Sequence, residues 1–156
     1  MNEEKLEVYR AFSGGQERHA YFMMAAAGAA IAFAVTQTEG GSWNLLSFAW
    51  IGAIGCWGLS FYFGERHMAY VRSNQFANFN LLRAREQSRE LDLSVGFGAS
   101  EAVVAGISQA IKSNEDRSVL GAKLQMWSFI WGALIYLLWH VLTMIDRASN
   151  AIPPLP

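Results

Sequence analysis

Apolar residues in this chain gather in three blocks separated by polar and charged stretches. Residues 20–35 carry no charge, residues 43–64 carry none, and residues 124–145 contain only His140 among histidines and charged residues. The second and third blocks meet the length of about 20 residues that a hydrocarbon layer of about 30 Å requires of a helix. The first block reaches it if its helix continues through Arg18 and His19 at one end and Thr36 and Gln37 at the other, where long side chains can extend to the interface. The pattern predicts an all-α integral membrane protein with three transmembrane helices.

Between the blocks, the spacing of apolar positions predicts further helices. Residues 1–13 read as an N-terminal amphipathic helix with Leu6, Tyr9 and Phe12 on one face, followed by a capping-box pattern in Ser13, Gly14, Gly15 and Gln16 that restarts the chain. Residues 14–64 then form a transmembrane helical hairpin. Its turn contains Gly40 and Gly41 for the helix stop and Ser42 as the next cap. Residues 65–114 read as a cytoplasmic helical hairpin that breaks at Gly96 and Gly98. Its first arm carries Met68, Val71, Phe76, Phe79, Leu82 and Leu91 as a seam for another helix. A strong start signal at Ser113, Asn114, Glu115 and Asp116 opens the third span, residues 115–147. The tail, residues 148–156, is expected outside.

Charge fixes the expected threading. Three Lys/Arg fall in residues 1–18, eight in residues 65–123, none in the first turn and one, Arg147, after residue 145. The positive-inside bias therefore predicts a cytoplasmic N-terminus and an external C-terminus, as in a bacterial inner membrane. The acidic residues Glu3, Glu4, Glu7 and Glu17 argue against reading the first block as a secretory signal. With 12 basic and 13 acidic residues the chain gives no support for a nucleic-acid partner. At 53% hydrophobic and only 16% charged, it is more apolar than an ordinary small soluble domain.

Inside the hairpin, the first helix holds eight alanines between residues 20 and 35, so it offers little bulk. At 100° per residue the second gathers Ala49, Gly52, Ala53, Cys56 and Ser60 into a small packing face, with Trp43, Trp50 and Trp57 on a different side. Small residues let membrane helices approach closely. Cys56 is the single cysteine, so no intramolecular disulfide can form. A pigment or haem platform on the tryptophans is the functional counterpart of plain packing.

The most specific polar feature is a repeated triplet, Glu17, Arg18, His19 and Glu65, Arg66, His67, which brackets the hairpin. The bland reading is a clamp that fixes hairpin register, Glu17 with Arg66 and Arg18 with Glu65. The functional reading is a charged mouth when several copies assemble, since rings of charge set ion selectivity. A third reading makes the triplets a lipid-headgroup acid, base and phosphate binder in an enzyme. Asn74 and Asn78 are candidate vestibule amides, against a bland reading as exposed polar positions. His140 is a candidate intramembrane polar group. No enzyme motif, metal spacing or cofactor signature is present, and no cofactor is expected.

These features point to a homo-oligomeric pore or membrane-perturbing effector of the stress, lysis or defence type, embedded in the lipid bilayer and self-associating. The alternative is an accessory subunit or assembly factor that binds other membrane subunits.

Overall fold

The computed structural model describes residues 3–37, 46–88, 92, 93, 96 and 98–150. Among them the protein is all-helical, with α1 at Glu3–Thr36, α2 at Ser47–Glu86 and α3 at Ala99–Asn150. Two helices contain segments long and apolar enough to cross a membrane, Glu17–Thr36 in α1 and a window within Ala99–Ser149 in α3. The apolar part of α2 carries no charge between Ser47 and Gly64, but Gly52, Gly55, Gly58, Ser60 and two tryptophans dilute it. The chain divides into two compact units, Met1–Gly64 with Lys123–Pro156, and Glu65–Ala122.

Two expected boundaries are absent. The separate amphipathic helix over residues 1–13 does not end at the capping-box pattern, because α1 runs unbroken through Gly14 and Gly15. Two interior glycines cost about 1 kcal/mol each relative to alanine, whereas stopping and renucleating a helix forfeits several backbone hydrogen bonds. Likewise α3 does not begin at residue 115. It passes through Ser113, Asn114, Glu115 and Asp116 without a break. No glycine or proline interrupts that stretch, and Asn114 Nδ2 donates across to Ser73 Oγ at 3.0 Å instead of capping. The face of Leu6, Tyr9 and Phe12, the turn with Gly40, Gly41 and Ser42, Trp43, Leu91 and the tail beyond residue 150 lie outside the described residues or side chains.

The real start of α3 is capped from upstream. Asp92 Oδ1 accepts from the Ser100 N–H and its Oδ2 from the Ser100 hydroxyl, both at 3.0 Å. Gly96 and Gly98 have φ of 128° and 90°, a backbone region that side chains disfavour, and this lets the chain double back onto Asp92. The Ser100 backbone N–H, then its hydroxyl, hold the Asp92 carboxyl below its ordinary pKa of 3.8. A carboxyl whose pKa is lowered by folding stabilises the fold above its unfolded pKa, and that contribution is lost as pH falls through the folded value. Asp92→Asn is therefore expected to speed amide exchange at Ser100 and Ala102 at pH 7. The difference between wild type and variant should shrink as pH falls through the folded pKa of Asp92, which lies below 3.8, as followed by hydrogen-exchange NMR.

Buried positions reveal how the helices pack. On α1, Ala20, Ala27 and Ala34 recur every seven residues and are almost wholly buried. On α2 the buried positions are 53, 57, 60, 64, 67, 68, 71 and 84, and on α3 they include 118, 121, 125, 132 and 139. Between 53 and 71 the spacings of three and four fit the repeat of one helix face packed on its neighbours. In the first unit Ala27, Ala34, Ala53 and Trp57 form the core, with Trp50, Ile54, Phe129 and Tyr136 packed against it.

This corrects the expected division of α2. Of the small face, Ala53 and Ser60 are fully buried, whereas Ala49, Gly52 and Cys56 are half-buried, and a Cβ on Gly52 would meet open space. Trp57 lies on the same seam as Ala53 and Ser60, at 4% exposure. Its indole presses on Gly132 of α3, where an added Cβ would stand 2.6 Å from Nε1 and 2.7 Å from Cδ1. Trp50 and Trp57 therefore serve packing: besides the contact of Trp57 with Gly132, Trp50 Nε1 donates to the Ala34 carbonyl at 2.9 Å, tying α2 to α1.

Candidate functional site: buried polar contacts and charged triplets

Two polar side chains within the apolar segments, Ser60 and Gln125, turn inward and find partners on neighbouring helices. Ser60 Oγ on α2 donates to the Gln125 carbonyl on α3 at 2.9 Å, and Gln125 Nε2 donates to the Ala20 carbonyl on α1 at 3.4 Å. Gln125 is 3% exposed and so pins all three helices of the first unit at one level. A Cβ on Gly64 would collide with the Gln125 amide and stand 2.9 Å from Met24 Cγ, so this glycine leaves the space the glutamine occupies. Trp57 Nε1 and Tyr136 Oη are buried without a hydrogen-bond partner. Tyr136 is also the hub of an aromatic cluster, with ring centroids 6.2 Å from Phe33, 5.6 Å from Trp57 and 5.4 Å from Trp139. His140 is exposed and stacks on Tyr136 at 6.3 Å and 15°.

In the second unit the main contact is His67. Its ring is buried, with Nδ1 2.8 Å from the Ser118 carbonyl and 2.9 Å from the Ser118 hydroxyl. A carbonyl oxygen can only accept, so the shorter contact assigns the proton to Nδ1 and leaves Nε2 as the acceptor nitrogen. Gly121 admits the histidine, since a Cβ there would stand 3.3 Å from His67 Cβ.

The two triplets are therefore not equivalent. Glu17, Arg18 and His19 belong to the first unit, whereas Glu65, Arg66 and His67 belong to the second. Arg18 and His19 are exposed and Glu17 is half-buried, engaged with another group of the chain. Glu65 and Arg66 are exposed, and Arg66 turns to Tyr70, donating to its hydroxyl at 3.2 Å with the guanidinium carbon 5.6 Å from the ring centroid. Only His67 is committed to the interior. Asn74 and Asn78 are half-buried, not exposed as the bland reading has them, and Asn74 Oδ1 is enclosed without a partner while Asn78 engages another group. Among the described residues no group of three or more His, Cys, Asp or Glu side chains could hold a metal ion.

Sequence reasoning missed Ser118, Gly121, Gln125 and Gly132. They fall at intervals of three, four and seven residues on α3, a repeat of small and polar side chains visible in the sequence once a 3.5-residue period is applied.

Fold and contacts together define an all-helical protein with two helices able to cross a membrane and polar groups turned to the helix interfaces. Comparison with protein-family models, curated proteins and solved structures finds no match to this chain.

Proposed function

We propose that the chain is a three-span inner-membrane protein, N-terminus in the cytoplasm and C-terminus outside, acting as a non-enzymatic accessory subunit or assembly factor of a larger membrane complex. The observation that carries this reading is the outward surface of the apolar segments. Phe22, Phe33, Ile51, Leu59, Ile130 and Leu137 are among many large apolar side chains exposed there. Gln125 and Ser60 are buried in the same segments. Such a surface suits acyl chains and neighbouring membrane helices. A water-filled pore built from several copies would want an outward polar stripe along one helix; on α3 between residues 124 and 145 the exposed residues are apolar or tryptophan apart from His140, with Ser128 and Thr143 half-buried.

The pore is the second reading, favoured by one observation: Glu65 and Arg66 are both exposed, and rings of charge from several copies set ion selectivity. Reconstitution separates the two. The accessory reading predicts ion flux in proteoliposomes no greater than in protein-free vesicles, and one reproducible membrane partner on purification in mild detergent. Flux that changes when Glu65 and Arg66 are neutralised would instead establish the pore.

A further inference from the structure

The expected seam on the first half of unit two splits into two faces. Met68 and Val71 are buried, but Phe76 and Phe79 stand 69% and 61% exposed. They belong to a stripe of exposed residues on α2: Ala69, Arg72, Phe76, Phe79, Arg83 and Glu86. The intervals are three, four, three, four and three, the a and d positions of a coiled-coil seam. Two phenylalanines form its centre, and an arginine follows one turn beyond each of them. We propose that this stripe is a docking seam for a helix of another protein. That helix would present two apolar residues flanked by acidic residues eleven apart, in the order acid, three residues, apolar, two residues, apolar, three residues, acid.

Three considerations select this occupant. Charge complementarity requires acids opposite Arg72 and Arg83; Arg72 already engages another group of this chain, so an incoming acid would add to or replace that contact. A lipid surface suits a broad apolar arc with basic residues along its sides; here exposed Leu82 flanks the stripe on one side, but exposed Ser73 and Gln87 bound it on the other and arginines close it at both ends. A second copy is penalised, since pairing the stripe with itself sets Arg72 on Arg72 in parallel, or on Arg83 when antiparallel about its centre. No helix of this chain carries two acids eleven apart; Glu90 and Glu101 do, but Gly96 and Gly98 break the chain between them.

The inference rests on the accessory-subunit reading, and the test keeps the two apart. The full chain in nanodiscs is titrated with a fluorescent synthetic helix bearing the acidic seam, and with a twin in which lysines replace the two acids. The expected result is binding of the acidic peptide about tenfold tighter than its twin, with the preference inverted by Arg72→Glu with Arg83→Glu and both peptides weakened by Phe79→Ala. These positions are exposed, so the variants should keep wild-type helicity. Equal binding of the two peptides, no binding of either, or recruitment only of phosphatidylglycerol vesicles would overturn the inference. So would self-association of the chain abolished by Glu86→Arg. A chain that threads the membrane three times but ignores both peptides would refute the seam alone, whereas failed threading refutes the reading beneath it.

Discussion

Gly132→Ala is expected to destabilise the first unit by roughly 2–3 kcal/mol, the cost of overpacking a filled core. The added methyl would stand 2.6 Å from Trp57 Nε1, 2.7 Å from Cδ1 and 3.1 Å from Cε2. An indole is rigid, and this one is held between Tyr136 and a core that includes Ala53 and Ala27, so helix α3 itself must shift. Gly64→Ala provides the contrast. The atoms it meets are the far end of Gln125 and the Met24 side chain, both able to rotate, and its cost should be smaller. Denaturation in mixed micelles followed by circular dichroism measures both. Trp57→Phe removes the clashing ring atoms, so the pair Trp57→Phe with Gly132→Ala should recover about 1 kcal/mol or more relative to the sum of the single changes. An additive pair would show that the indole is not what the glycine accommodates.

The second large effect is expected at His67. His67→Ala removes a buried ring from the contact between α2 and α3, along with its hydrogen bond to the Ser118 carbonyl at 2.8 Å. Cavity and lost hydrogen bond together suggest a loss of roughly 2–4 kcal/mol. His19→Ala, at an exposed ring, should change stability by well under 1 kcal/mol. Amide exchange reads the difference locally: protection around Ser118 and Gly121 should fall with His67→Ala and stay unchanged with His19→Ala. Equal effects at the two histidines would show that burial does not set His67 apart from His19. Ser118→Ala keeps the carbonyl and should be mild, because the bond that matters is to the backbone.

Much of this architecture was legible in the sequence. Charge-free runs located the helical apolar segments, and the absence of proline after residue 64 allowed α2 to run far past its apolar part, whereas the length of α3 was not foreseen. The helix faces were read less well, and the reason is physical. At 100° per residue Trp57 falls about 40° from Ala53 and Gly52 about 100°, so sorting the face by side-chain size instead of by angle is what set Trp57 apart from Ala53, Ser60, Gly64 and His67, with which it is buried. Boundary errors had a different source. Ser13, Ser113 and Asn114 carry good capping chemistry, yet a cap is only an option for the backbone, and continuing the helix satisfied more hydrogen bonds. The true cap, Asp92, is eight residues upstream of the Ser100 it holds, a distance that local patterns do not encode. The triplets matched as text but not in environment, because burial of His67 depends on Gly121, a partner 54 positions away.

Threading is the central claim, and single-cysteine labelling in intact cells tests it most directly. In a Cys56→Ala background, cysteine is placed at Ser42 in the first turn, at Ser108 in the second unit, or at Ser149 near the end of α3. A membrane-impermeant maleimide is then applied before and after permeabilisation. The account predicts labelling of Ser42→Cys and Ser149→Cys from outside, and of Ser108→Cys only after permeabilisation. Labelling of Ser108→Cys in intact cells, or Ser42→Cys and Ser149→Cys on opposite sides, would contradict it.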